Sequence, residues 1–136
     1  MIKTKSLNHV GLRVADTPRA RKFYEGLLGF KVMPRPEFPF DGAWYGIGRN
    51  MVHLIESEKG SKKIDPLGPH LAIEIEDYDS AKAELDRNGI EYIEAANMTN
   101  VGSVPVSQTG RQLWIVDPDG NTIELRTPGS MTQIPD

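Results

Sequence analysis

The sequence contains an internal repeat of secondary-structure pattern, and this repeat limits the possible folds more than any other feature. Each copy shows a strand, then a helix that ends at a glycine, then three strands. In residues 7–14 (LNHVGLRV), apolar residues alternate with polar ones such as His9 and Arg13, which predicts a strand with one apolar face and one face available for chemistry. We therefore predict an α+β fold in which two tandem βαβββ modules, residues 6–58 and 69–128, form a curved mixed sheet with the helices outside.

Capping and turn residues place the predicted elements along the chain. In the first copy we expect a helix with Thr17 as its N-cap and Pro18 at the first helical position, and Gly29 should end it. In the second copy a helix that begins near Asp79 should end at Gly89. The other predicted strands cover residues 30–33, 43–47, 51–56, 70–77, 91–94, 112–116 and 122–126.

The composition is typical of one globular domain, residues 1–136. With 16 Lys and Arg against 19 Asp and Glu, and no basic run, we expect no nucleic-acid partner. No stretch approaches the roughly 20 apolar residues that span a bilayer, so we expect no membrane association. The chain has no Cys, which excludes disulfides and thiolate ligands and is consistent with a reducing compartment. We expect a cytoplasmic protein in which any metal is held by His and carboxylate.

All three histidines fall on predicted strands, and the repeat pairs them with one another and with a glutamate. His9 and His70 are repeat mates, and so are His53 and Glu124. Duplication about a pseudo-twofold axis would bring the four side chains to one region of a concave sheet face. Three imidazoles and one carboxylate suit one divalent ion per site, Ni, Zn, Co, Mn or Fe, and leave positions for water or substrate. For any single one of them the alternative is an ordinary strand residue, hydrogen-bonded or in water, but the joint pairing favours metal binding.

Four segments of the chain, LNHVGLRVADTPRARKFYEGLLGF, MVHLIE, GPHLAIEIED and DPDGNTIELR, resemble the vicinal-oxygen-chelate superfamily. This superfamily includes glyoxalase I, extradiol dioxygenases, methylmalonyl-CoA epimerase and fosfomycin-resistance enzymes. The resemblance covers about residues 6–127 and implies a glyoxalase-like fold with the same four ligand positions filled. One departure is His53, because glyoxalase I enzymes commonly carry Glu there. A single carboxylate leaves a divalent ion with about one net positive charge, so the metal should favour an anionic chelating substrate.

The resemblance implies a metal-dependent, glyoxalase I-like lyase or isomerase of the lactoylglutathione lyase type, acting on a small oxygen-chelating substrate. The metal would polarise adjacent oxygens, and Glu124, as ligand and base, would move the proton. His53 could assist as a base only if it left the metal. The alternatives are an extradiol-type ring-cleaving dioxygenase and a ligand-sequestering protein of the bleomycin-resistance kind. The resemblance also favours a homodimer with the metal sites at or near the interface.

Three residues near the predicted ligands are candidates for substrate binding. Arg13 lies on the His9 face of its strand, although a cross-strand ion pair is an alternative role. Trp44 belongs to an aromatic segment, residues 38–45, and could form an apolar wall for a substrate tail, although core packing would equally explain it. Arg111 follows the Gly- and Ser-rich loop 97–110 and could hold a carboxylate, with a solvated loop as the alternative.

Overall fold

Each copy of the repeat forms a four-stranded mixed sheet in this computed structural model. The structure describes residues 1, 3, 7–57, 63–66, 69–95, 100–101, 104–105 and 110–129. The chain divides into two compact units: unit 1 contains residues 1–62 with 117–121, and unit 2 contains residues 63–116 with 122–136. The predicted α+β class and the repeated βαβββ topology are confirmed, and the predicted single domain with module bounds 6–58 and 69–128 stays a prediction.

Unit 1 consists of a helix and a four-stranded sheet. Its strands are β1 (His9–Val14), β2 (Lys31–Met33), β3 (Gly42–Ile47) and β4 (Asn50–Glu56). They lie in the order β1-β4-β3-β2, and only the β1–β4 pairing is parallel. The side chains of Tyr24 and Tyr45 are fully buried and their rings stack with centroids 6.1 Å apart. This aromatic core lies on the side of the sheet opposite to His53. Tyr45 pairs with Val52 in the β3–β4 ladder, and neighbouring residues of a strand point to opposite faces.

The helix of unit 1 differs in detail from the prediction. Asp16, not Thr17, is the N-cap: its side chain accepts from the Arg19 backbone N–H, as a short carboxylate at this position does. Thr17 is the first residue of α1 (Thr17–Arg21), so Pro18 is one position later than predicted. The helix then widens into a π-helical segment, Lys22–Leu27, with Leu28 as its C-cap. Gly29 follows with a φ of 67°, the left-handed value expected after a helix end.

Unit 2 repeats this topology. In chain order its elements are β5 (His70–Glu74), α2 (Tyr78–Arg87), β6 (Ile93–Glu94), the separate pair β7 (Asn100–Val101) and β8 (Val104–Pro105), β9 (Gln112–Val116) and β10 (Thr122–Arg126). The sheet order β5-β10-β9-β6 matches that of unit 1 strand for strand, and again only the first pairing is parallel. Asp77 caps α2 and Gly89 (φ 63°) follows its end. The apolar side of this sheet is formed by the buried strand residues Leu113, Ile115, Ile123 and Leu125.

Parts of two predicted segments lie outside the described residues. Of the loop 97–110, the structure describes the β7–β8 pair and Gly110. Of the predicted linker 59–69, it describes residues 63–66 and 69. Neither of the described helices is long and apolar enough to cross a lipid bilayer.

Candidate metal centre

In unit 1, strand register brings His9 and His53 together. β1 and β4 pair in parallel with His9 opposite Met51 and Gly11 opposite His53, so the two histidines are diagonal neighbours on one face. Gly11 has no side chain to intervene between them. The rings stack with centroids 4.1 Å apart and planes 16° apart. The predicted association of these two residues is therefore present in unit 1.

The ring nitrogens of His9 have different surroundings, which sets their roles. Nδ1 lies 2.7 Å from the side-chain oxygen of Asn8. A carboxamide oxygen only accepts, so Nδ1 is the donor of this bond and Nε2 is the nitrogen left for a metal ion. This arrangement, in which one imidazole nitrogen is tied to an acceptor, is the usual way proteins prepare the other nitrogen for a metal. Asn8 was not singled out from the sequence, although its position beside His9 was visible.

His53 is buried, with 8% of its surface exposed, and its Nε2 has no hydrogen-bond partner. Burial, together with the charge of His9, lowers the pKa of His53 below its ordinary value, so the ring is neutral at pH 7. A buried imidazole nitrogen without a partner is costly unless something else satisfies it. A neutral ring with an unused buried nitrogen is chemically suited to ligate a metal ion.

The two rings of unit 1 do not converge on one point as they stand. An imidazole binds a metal through a lone pair in its ring plane, and nearly parallel rings direct their lone pairs along separate planes. One ring must therefore turn for both to reach the same ion. His9 is exposed and begins its strand, so it is the ring that can rotate without disturbing the core.

In unit 2, the same diagonal relationship brings His70 and Glu124 together. His70 pairs with Thr122 and Ala72 pairs with Glu124 in the parallel β5–β10 ladder. His70 Nε2 lies 3.3 Å from Glu124 Oε2, and the glutamate is buried, with 5% of its surface exposed. Two donors each about 2.1 Å from one ion, at an angle of about 90–109°, are roughly 3.0–3.4 Å apart. The pair thus has the spacing of two ligands of one divalent ion.

Arg126 is a neighbour of Glu124 that the sequence analysis missed. Its Nη1 lies 3.4 Å from Glu124 Oε1 and 3.4 Å from the side-chain oxygen of Gln112. The two carboxylate oxygens therefore have different partners, His70 for Oε2 and a guanidinium for Oε1. The sequence did contain a signal for this contact, because residues 124 and 126 are two positions apart on one strand and therefore lie on the same face.

Each unit thus brings together two of the four predicted ligands. Across the part of the chain that the structure describes, no group of three or more His, Asp or Glu side chains is placed to hold a metal ion. The four-ligand assignment of His9, His53, His70 and Glu124 stays a prediction.

The three predicted substrate-binding residues occupy different surroundings. Arg13 is exposed on β1, two residues beyond His9 on the same face. Trp44 lies directly opposite His53 in the β3–β4 ladder, and the two rings stack with centroids 4.0 Å apart. Arg111 has its guanidinium 3.9 Å from the centre of the Tyr78 ring and its Nη1 3.2 Å from Asp79 Oδ1. The structure therefore ties Arg111 to α2, and a substrate-binding role for it stays a prediction.

Two units of the same βαβββ topology, each with a His on its first strand and a His or Glu on its last strand, define the class of fold to which the chain belongs. The family model of the Glyoxalase/Bleomycin resistance protein/Dioxygenase superfamily matches residues 6–125, and the chain belongs to this superfamily.

Relatives with named activities are similar over most of the chain. Glyoxylase I 4 of Arabidopsis thaliana is 34% identical over 136 aligned residues, which cover 96% of this chain and 75% of that protein. A lactoylglutathione lyase of Neisseria meningitidis is 26% identical over 129 residues and 88% of each chain. Among solved structures, a glyoxalase/dioxygenase from Nostoc punctiforme superposes with a TM-score of 0.68 at 25% identity, over 91% of each chain.

Proposed function

We propose that this protein is a divalent-metal-dependent lyase or isomerase of the lactoylglutathione lyase type, acting on a small oxygen-chelating substrate. His9, His53, His70 and Glu124 would hold one ion of Ni, Zn, Co, Mn or Fe. The observation that carries the proposal is the His70–Glu124 pair, in which a buried carboxylate oxygen lies 3.3 Å from an imidazole nitrogen. The relatives named glyoxylase I and lactoylglutathione lyase support the reaction class.

A bound divalent ion would supply Lewis-acid polarisation of two adjacent substrate oxygens. Glu124 is the residue that takes the proton from the carbon beside the polarised oxygen and returns it to the neighbouring carbon. Its burial supports this role because little water competes for the proton. Arg126, beside Oε1, holds the carboxylate while Oε2 faces His70. His53 is a second base only when it is not a ligand.

Aromatic residues beside His53 support an apolar wall for the substrate tail. The ring centroid of Trp44 lies 6.1 Å from that of Phe38, and Phe38 stacks on Phe40 with ring centroids 5.2 Å apart. Both phenylalanines are exposed, and the Arg35 guanidinium lies over both rings. An exposed aromatic surface with a cation suits a substrate that carries both an apolar group and a negative charge. Arg13, exposed on the His9 face, would contribute a second positive charge.

We further propose a homodimer in the cytoplasm in which the metal sites lie at or near the interface. Unit 1 holds two of the four proposed ligands and unit 2 holds the other two, so a complete site takes one unit 1 and one unit 2, and in a dimer these can come from different chains. In that arrangement His9 and His53 come from one subunit and His70 and Glu124 come from the other. Closed twofold dimers are the commonest soluble oligomers.

The test is turnover by protein loaded separately with each of the five metals. The substrate is the hemithioacetal of methylglyoxal and glutathione, and thioester formation is followed by absorbance. We expect turnover with at least one metal, and a loss of at least about 100-fold in kcat for Glu124→Gln, which keeps the shape of the side chain but cannot take a proton. Failure of the fully metal-loaded wild-type protein to form thioester would refute the lactoylglutathione assignment.

The types of the donors favour one second candidate, ring-cleaving oxygenation. His9, His70 and Glu124 make a two-His, one-carboxylate set typical of non-haem Fe(II) oxygenases, to which His53 would be an additional ligand. Oxygen uptake by the Fe(II)-loaded protein with catechols, in the absence of thioester formation, would identify this reaction.

A further inference from the structure

Three rings form a continuous stack in unit 1, with His53 in the middle. Trp44 covers one face of the His53 ring, with centroids 4.0 Å apart and planes 2° apart. His9 covers the other face at 4.1 Å and 16°. The middle ring therefore has both faces covered and only its edge available. On that edge, Nε2 is buried and has no hydrogen-bond partner.

The contact with Trp44 is the firmer of the two. Trp44 sits on a central strand, directly opposite His53 in an antiparallel ladder that runs from Gly42–Ile55 to Ile47–Asn50. His9, by contrast, is exposed and at the start of an edge strand. The plane of the His53 ring is therefore set by Trp44, and His9 can turn away from the stack while that plane is kept.

We propose that Trp44 is a positioning residue for the metal centre: it fixes the His53 ring so that the Nε2 edge faces the ion. This inference rests on the proposed metal site. It assigns to Trp44 a role that differs from, and is compatible with, an apolar wall for the substrate. Fixing a ligand before the metal arrives lowers the ordering cost of binding.

The surroundings of position 53 suit an imidazole better than a carboxylate. In unit 2 the buried Glu124 has Arg126 two residues along its strand, with Nη1 3.4 Å from Oε1. The residue two along from position 53 is Ile55, so a buried glutamate there would lack such a cation, and an unpaired buried charge is costly.

The repeat supplies a matched control. Trp114 lies opposite Glu124 in the β9–β10 ladder, the position that Trp44 holds opposite His53. The chain has only these two tryptophans. Trp114→Phe is thus the same chemical change at the equivalent position, but without an imidazole opposite.

The first experiment compares metal affinity, measured by calorimetry with Zn(II) and Co(II), in four proteins. Relative to wild type, we expect Trp44→Leu to bind about 10–100-fold more weakly, the usual effect of losing a residue that orients a ligand. Trp44→Phe, which keeps a ring, should recover most of that loss, and Trp114→Phe should stay within about threefold of wild type. Equal affinities for wild type and Trp44→Leu would overturn the inference and leave the metal site itself intact.

The second experiment is a double-mutant cycle on the same readout. His53→Glu alone should weaken binding, and His53→Glu with Trp44→Leu should bind more tightly than the product of the two single effects predicts, by about tenfold or more. Purely additive effects would show that Trp44 does not act through His53 and would overturn the inference.

A readout without metal separates this inference from the proposed function. In metal-free protein the Trp44 ring current should move the His53 ring-proton resonances upfield in wild type, and in Trp44→Leu the shift should fall to the smaller part that the His9 ring contributes. Unchanged resonances would refute the stack. A wild-type protein that shows the shift but binds none of the metals would overturn the metal centre, and with it the role of Trp44 there.

Discussion

The hydroxyl of Tyr24 donates a 2.8 Å hydrogen bond to Asp117 Oδ2, and both side chains are buried within unit 1. Burial, with the adjacent Asp117 charge, raises the pKa of Tyr24 well above its ordinary value, so the hydroxyl keeps its hydrogen at any physiological pH. Asp117 also accepts from the backbone N–H groups of Asp119 and Asn121. The turn 117–121 is thus held by a side chain far away in the sequence.

Tyr24→Phe should destabilise the protein by about 1–3 kcal/mol, because it leaves a buried carboxylate oxygen without its hydroxyl donor. Urea unfolding followed by circular dichroism measures the change. Tyr92→Phe is the control, since the Tyr92 hydroxyl bonds to Asp86 at the exposed surface, and it should cost less than about 0.5 kcal/mol. Equal losses of stability in the two variants would show that the buried Tyr24–Asp117 bond contributes no more than the exposed Tyr92–Asp86 bond.

Two glycines of unit 1 should respond in opposite ways to alanine. A Cβ on Gly42 would lie 2.2 Å from the backbone oxygen of Leu54, so Gly42→Ala must displace β4 and should cost about 1–3 kcal/mol. A Cβ on Gly26 meets nothing within 4 Å, so Gly26→Ala should be stabilising by roughly 0.5–1 kcal/mol through helix propensity. Thermal melts of both variants give the sign of each change in stability. A Gly42→Ala protein as stable as wild type would refute the close approach of Gly42 to the Leu54 carbonyl.

Removal of any one ligand should lower bound metal while the fold survives. We expect His9→Ala, His70→Ala and Glu124→Ala each to reduce metal content after dialysis, measured by plasma emission spectrometry. Glu74→Ala is the control, because Glu74 is an exposed carboxylate on the same strand as His70. A folded triple variant that kept stoichiometric metal would show that the site lies elsewhere.

Glu94 should contribute a specific acid sensitivity to unit 2. Its oxygens accept from Lys82 Nζ and from the Tyr78 hydroxyl, each at 2.8 Å, and these bonds hold the pKa of Glu94 below its ordinary value of 4.5. Because the folded-state pKa is the lower one, the stabilisation is present above about pH 4.5 and is lost as the pH falls through the folded value. Urea midpoints between about pH 7 and pH 3 should therefore fall less steeply for Glu94→Gln than for wild type or for Glu91→Gln.

Shared metal sites predict complementation between inactive subunits. A heterodimer of one His9→Ala subunit and one Glu124→Ala subunit would contain one doubly damaged site and one site with all four ligands. Mixing the two inactive proteins under conditions of verified subunit exchange should restore metal and activity to one of the two sites in each heterodimer. No recovery would mean that each site is built from a single chain.

Features that depend on periodicity were largely predictable from the sequence. The repeat pairing of His9 with His70 and of His53 with Glu124 rests on alternation along strands, and the two ladders show the corresponding diagonal contacts. The helix start was misplaced by one residue because Asp16 and Thr17 are both good caps, and only the backbone decides between them.

Contacts between strands were harder to predict than the strands themselves. The stack of Trp44 on His53 depends on the hairpin register, which the Gly48–Arg49 turn sets and which the sequence signals only through that turn. The contact of Arg111 with Tyr78 had no sequence signal at all, because a charged residue after a loop can equally face a binding site or pack on an aromatic ring. Such choices depend on tertiary packing and not on local pattern.

The π-helical segment Lys22–Leu27 corresponds to a difference in helix length between the two copies of the repeat. One residue more lies between Asp16 and Gly29 than between the equivalent Asp77 and Gly89. The wider winding, in which the Leu28 N–H reaches back to the Phe23 carbonyl, accommodates that extra residue within the helix. An insertion after duplication is thus absorbed within the helix, so the two copies differ in helix length while the ladder of His9 and His53 and that of His70 and Glu124 keep equivalent registers.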